Sequence, residues 1–360
     1  MEPISFATKP AHPNSMQPTR KTLLLSGLTC LAGLLLPAVS FGQGCVIARG
    51  GGNAMIADGS GYLEPHQWQV STAYRYFKSH RHFAGNDEQV QRSEQGTEVY
   101  NVSNFIDVTA TFAASKRLSL NLTVPYVHHN RSSMYEHLGN NSGQRFTTSA
   151  SGLADMRLSG SYWLFNPNRD DLRGNLSVNF GFKAPTGEYK ARDVFHRSNG
   201  LQERYVDSSI QPGDGGWGYT LELQGFRSIA HGLSVYGSAF YMANPEGRVE
   251  DTGFSIPDAY LARGGFEFRV PAVKGLSASL GGRIEGVPGN DLFGSSRGSR
   301  RPGFATAVEP GFTLARSRFS ATVTVPIAVY RARTTTWGSN KAGDAAFADW
   351  SLNTSFSFRL

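Results

Sequence analysis

Apolar and polar residues alternate with a period of two along most of this chain, and that pattern limits the fold more than any other feature. Trp68, Val70, Thr72, Tyr74 and Tyr76 alternate with Gln69, Ser71, Ala73 and Arg75. Leu118, Leu120, Leu122, Val124 and Tyr126 alternate with Ser119, Asn121 and Thr123. The same rhythm returns at Leu176–Phe182, at Leu276–Ile284 and at Trp350–Leu360. Successive side chains of a strand point to opposite faces, so each run reads as a strand with one apolar face. Strands are predicted at 66–78, 100–112, 118–128, 153–164, 174–184, 217–226, 233–243, 259–270, 276–286, 302–314, 319–330 and 348–360.

Each run is about ten residues or slightly longer, the length a tilted strand needs to cross a bilayer. The connections fall into two alternating classes. Those at 113–117, 165–173, 227–232, 271–275 and 315–318 are short. Those at 79–99, 129–152, 185–216, 244–258, 287–301 and 331–347 are long and polar. The predicted fold class is all-β: a transmembrane, antiparallel, up-and-down β-barrel of about twelve strands, with short periplasmic turns and long extracellular loops. Hydrocarbon offers no hydrogen-bond partners, so a sheet spans it only when closed on itself. Trp68, Tyr76, Tyr126, Trp217, Tyr219, Tyr241, Tyr260, Tyr330 and Trp350 fall near strand ends, where interfacial aromatic girdles belong. Alternation alone does not tell inside from outside, and a soluble barrel would invert it.

Composition excludes several classes. Charged residues are 18% of the 360, while 41 are glycine and 12% are aromatic, which fits neither a coiled coil nor a disordered chain. Arg20 and Lys21, an apolar run over 22–36 and the small residues Ala38, Ser40 and Gly42 describe a secretory signal peptide at 1–42. Residues 43–64, with Gly50-Gly51-Gly52, read as a flexible lead-in that could instead tuck into the lumen, and 65–360 as the barrel. Cys30 lies in the leader, so Cys45 is alone in the mature chain, either an isolated thiol or a lipidation point. The net charge of +7 forms no long basic run, so no nucleic-acid partner is expected. It suits anionic lipid headgroups in a bacterial outer membrane. The closing strand 348–360 resembles the terminal signal read by the barrel-assembly machinery, although it ends in Leu360.

The polar alternates place charges in the lumen: Asp107, Asp155, Arg157, Lys183, Glu222, Arg263, Glu267, Arg269, Arg283, Glu285, Glu309 and Arg359. They read either as a solute-selecting path or as a salt-bridge network filling a narrow barrel. His80 and His82 in the first long loop, and His128, His129 and His137 at the second, match no zinc spacing, so no metal or cofactor is expected. His196-Arg197-Ser198-Asn199 is similar to the motif of outer-membrane phospholipases, in which His activates Ser. The position fourteen residues after His196, where that family carries its orienting Asn, is Ile210.

Four short motifs carry a wider resemblance. They are Val124-Pro125-Tyr126, Ser151-Gly152-Leu153-Ala154-Asp155, Ala184-Pro185-Thr186-Gly187, and Gly213-Asp214-Gly215 before Trp217. In order and spacing, over about 65–226, they resemble the outer-membrane family of the MetA pathway of phenol degradation. Ala154 stands where that family usually has Gly. The resemblance implies a single-chain barrel that takes up small, aromatic or hydrophobic compounds, and it assigns no catalytic residue. Three functions stand open: a passive channel for small molecules, a lipid hydrolase using His196 and Ser198, and a closed structural or adhesive barrel acting through its loops.

Overall fold

The computed structural model describes residues 62–139, 142–167, 173–296, 301–334 and 343–360. The proposed signal peptide, Cys45 and nearly all of the lead-in lie outside the described residues. In chain order the strands are β1 (Trp68–Ala84), β2 (Asp87–Glu88), β3 (Tyr100–Ala113), β4 (Leu118–Ser133), β5 (Phe146–Leu153), β6 (Arg157–Trp163) and β7 (Gly174–Lys183). Then follow β8 (Arg192–Arg197), β9 (Gly200–Tyr205), β10 (Gly218–Ala230), β11 (Leu233–Ala243), β12 (Ala259–Arg269) and β13 (Leu276–Val287). The last four are β14 (Gly303–Ala315), β15 (Phe319–Thr324), β16 (Ile327–Arg333) and β17 (Ala345–Arg359). A short helix, α1 (Val90–Glu94), follows β2.

Pairing runs antiparallel from β1 through β3, β4, β6, β7 and β10 to β14, and on to β15, β16 and β17. β17 pairs back onto β1, from Gln69↔Arg359 to Phe83↔Ala345, and this seam closes the barrel. β5 and β6 both pair with β4, and β15 and β16 both pair with β14, so each couple forms one stave of a twelve-strand barrel. The predicted strand 153–164 is therefore broken at 154–156, and 319–330 is broken at Val325-Pro326. Proline lacks the ladder donor. At the first break the Met156 amide turns instead to the Thr186 hydroxyl, 2.9 Å away.

Strand β10 shows which way the pattern faces. Tyr219, Leu221 and Leu223 are exposed, whereas Thr220 and Glu222 between them are buried. Leu122, Leu158, Phe180, Phe266, Leu280 and Phe312 are also exposed and continue the apolar belt round the wall. In water such a belt would be an aggregation surface; in acyl chains it is the solvated face. Burying polar alternates and exposing the aliphatic ones is the reverse of a soluble barrel.

One rim carries tight turns. His231–Gly232 joins β10 to β11, with Gly232 at φ 73°, a conformation that glycine adopts without steric penalty. At the other rim the strands overshoot the bilayer: β1 runs 17 residues, β4 16 and β17 15. His80 and His82 consequently lie on β1, and His128 and His129 on β4, rather than in loops. The loop between β7 and β10 folds a β8–β9 hairpin and a one-turn helix at Ser208–Ile210, where Val206 and Ile210 pack on Ala150.

Candidate functional site: the barrel lumen

Three layers of side chains face inward. On the side of the tight turns, the lumen wall is built from hydroxyls and amides. Thr109 and Thr123 hydroxyls meet at 2.9 Å, Thr111 donates to Asn121 at 2.9 Å, and Asn179 donates to Ser161 at 2.7 Å. These are cross-strand neighbours, the natural pairing of a sheet face. They line a cavity of about 90 Å³ that is open to the lumen and bordered by Ser71, Asn121, Ser161, Asn179, Thr220 and Glu222, with Asp107, Arg157 and Phe240 also on its wall. At the rim below it, Tyr62 packs edge-on against Trp163, and Asn175 donates to its hydroxyl. The first described residue of the lead-in therefore sits at the mouth of the lumen.

The second layer is charged. Arg75 Nη2 lies 2.6 Å from Glu285 Oε1, and Arg283 Nη2 lies 2.7 Å from Glu285 Oε2. Glu309, 1% exposed, lies 3.3 Å from both Arg283 and Arg263. A chain of five charges thus runs from β1 across the lumen to β12, β13 and β14. Arg157 pairs with Asp107 at 2.8 Å on the opposite wall. Burying these groups is tolerable because each meets an opposite charge.

Apolar side chains form the third layer. Phe77 stacks on Phe105 with ring centres 5.9 Å apart, beside Val127 and Ala154, while Phe240, packed with Leu261 and Met242, lies level with Glu222 on the cavity wall.

The twelve lumen charges read from the sequence separate into groups. Asp107, Arg157, Arg263, Arg283, Glu285 and Glu309 join the ion-pair layer, and Glu267 is buried on β12. Glu222 lines the cavity. Lys183 pairs with Asp214 near the long-loop side. Arg269 and Arg359 sit at the tight-turn rim, where Arg359 donates to the Ser317 carbonyl at 3.3 Å. Asp155 lies off the strands, in the break of the β5–β6 stave. Its Oδ1 accepts from Gly187 N and its Oδ2 from Asp214 N, both at 2.9 Å. A Cβ on Gly213 would come within 2.8 Å of Asp155 Oδ1, and one on Gly187 within 2.8 Å of Ala154. Three of the sequence motifs are thus one knot, tied by a carboxylate and possible only with glycine at its closest approaches.

Arg75 was missing from that set, although it occupies a polar alternate between Tyr74 and Tyr76. Arg131 was missing because β4 runs past the predicted strand end. It is buried, with Nη2 2.6 Å from Glu136 Oε1 and 3.7 Å from Asp207. Beside it Tyr135 is pushed up to about 12, chiefly by burial.

The hydrolase and metal constellations do not assemble. His196 stacks on Phe146 at 3.7 Å, Ser198 is exposed at the hairpin tip, and Asn199 accepts from Gln202. His82 bridges Asp344 and the Val99 amide, and His137 stacks on Phe195. Among the described residues no group of three His, Cys, Asp or Glu side chains is placed to hold a metal.

Comparison with known proteins agrees with this architecture. Residues 79–202 match the family profile described as MetA-pathway of phenol degradation, a stretch that holds the first three of the four motifs. The crystal structure of an outer membrane channel from Pseudomonas putida F1 superposes with a TM-score of 0.57 at 12% identity, covering 88% of this chain and 100% of that one. It shows the shared barrel fold. Looser likenesses are the translocator domain of the autotransporter NalP from Neisseria meningitidis (TM-score 0.41, 11% identity, 94% and 98% covered) and the toluene transporter TodX from P. putida (0.40, 10%, 84% and 91%). No curated relative matches the chain.

Proposed function

Taking the chain as an outer-membrane barrel that resembles the MetA-pathway family, we propose that it is a passive channel for small molecules. The cavity inside the polar wall carries this reading. A barrel that served only as a scaffold would gain by packing its interior, since empty space forfeits dispersion contacts. Here a cavity of about 90 Å³, open to the lumen, is kept between Ser71, Asn121 and Thr220. The resemblance points to small aromatic or hydrophobic solutes, and the Phe77–Phe105 and Phe240–Leu261 clusters give such rings an apolar stretch of wall. The crossing ion pairs narrow the lumen, which favours a selective passage over a wide general pore, and the lumen charges are its filter.

A hydrolase reading lacks the contact it needs, because His196 is held against Phe146 rather than beside Ser198. Purified protein in planar bilayers tests the channel reading. Discrete currents are expected, and Ser161→Trp, which fills the cavity, reduces them. Absence of both current and solute flux in liposomes refutes it.

A further inference from the structure

The cavity wall holds a carboxyl group that two guanidiniums, Arg263 and Arg157, attract only from beyond bonding distance. Glu222 is 8% exposed and lines the cavity from the middle of β10. Among the described residues no hydrogen-bond donor or cation reaches it within bonding distance. The two guanidiniums that could answer it are committed elsewhere, Arg157 to Asp107 at 2.8 Å and Arg263 to Glu309 at 3.3 Å. A largely buried carboxyl that accepts no hydrogen bond from the protein keeps acceptor capacity that a donor in the lumen can use.

The surrounding chemistry narrows the donor. Thr109, Thr123, Asn121, Ser161, Asn179 and Thr220 all line the same cavity. Each hydroxyl offers one donor and two acceptor sites, so hydroxyl pairs such as Thr109–Thr123 leave acceptor capacity toward the cavity. A solute with several hydroxyls can exchange its water shell for this wall group by group. Among the described residues of this wall, a hydrocarbon would find only Ala73 and Phe240 to touch while desolvating the hydroxyls, and an anion would meet Glu222 and Asp107 against the single cation Arg157.

We propose that the cavity is a subsite for small uncharged solutes bearing several hydroxyl groups, with Glu222 as the acceptor that determines specificity. This rests on the channel reading alone and, for the cavity, replaces the hydrophobic solute class that the resemblance points to.

The test is swelling of liposomes that contain the purified full-length protein. The probes are erythritol and D-arabinose as polyols, ethanolamine hydrochloride as an ammonium donor, and sodium acetate as an anion. The polyols are expected to enter fastest. Glu222→Leu should slow them about tenfold, the loss expected when one buried acceptor is removed, while Glu222→Gln, which keeps an acceptor, stays within about threefold. Thr123→Val with Thr220→Val keeps the shape of the wall, so a slowing of polyols there identifies hydrogen bonding rather than size. Unaltered polyol flux in Glu222→Leu overturns the proposal. So does ethanolamine entering faster than erythritol in the parent protein, a result that needs no variant and would mark a cation site instead. A protein that passes no probe and no current fails as a channel, a separate outcome from one that conducts without preferring polyols.

Discussion

Arg75 on the first strand and Glu285 on β13 meet at 2.6 Å across the lumen, four staves apart round the wall. Neither strand pairs with the other through its backbone, so side chains alone make this bridge across the lumen. Arg75→Ala removes the bar and leaves Glu285 with Arg283. Single-channel conductance is expected to rise, and urea unfolding in vesicles to show a loss of about 3 kcal/mol, typical of breaking a buried pair. The double change Arg75→Met with Glu285→Met should recover much of that stability while conductance stays altered.

The Asp155 knot predicts a different signature. Asp155→Ala strips the Gly187 and Asp214 amides of their shared acceptor. A loss of about 1–3 kcal/mol is expected for those two unmet donors. Faster hydrogen exchange should then appear across 185–216 while the wall strands stay protected. Gly213→Ala should give the same pattern, because its Cβ would collide with that carboxylate.

Acid should loosen the outer loops through His137. Burial, then the neighbouring charges of His196 and Arg197 against the opposing Asp193, lowers its pKa to about 4. An unfolded imidazole titrates near 6.5. The opened state therefore binds the proton first, so stability is full above about 6.5 and falls away as pH drops toward about 4. The loss is expected to be about 1–3 kcal/mol, local to the stack of His137 on Phe195. Exchange rates of 192–205 between pH 7 and pH 4 measure it, and His137→Phe should flatten the dependence.

The orientation of the belt can be challenged at Leu280, which is 52% exposed near mid-height of β13. Arginine at a lipid-facing midplane position costs about 2–4 kcal/mol. Leu280→Arg should therefore destabilise the barrel by that amount in lipid unfolding titrations. A soluble protein would tolerate the change at an exposed site, so a neutral result would contradict the membrane assignment.

Much of this architecture is legible from local rules. Each barrel stave is legible because its alternation is long and short connections alternate with long ones, as around Leu118–Tyr126. The two breaks were missed because alternation continues through Asp155 and Val325 while the ladder does not. Which face is inside became clear only from burial, since Thr220 and Leu221 carry the same information read from either side. Arg75 and Arg131 show the limit for the site. Sequence parity places a side chain in the lumen, but its partner depends on staves that are distant along the chain. The knot is a further case: Asp155, Gly187 and Gly213 could be recognised as motifs but not as neighbours.

The seam between β1 and β17 is zipped almost from rim to rim, whereas β16 and β17 share a single register pair, Ile327↔Trp350. Next to that pair the bridging is done by Arg331, whose Nε donates to the Ala348 carbonyl at 3.0 Å and whose Nη2 reaches Asp349 at 2.6 Å. The stitching of this cylinder is therefore uneven. Its closure is not where backbone pairing is thinnest; that place is the line between β16 and β17, where a guanidinium supplements the few backbone rungs.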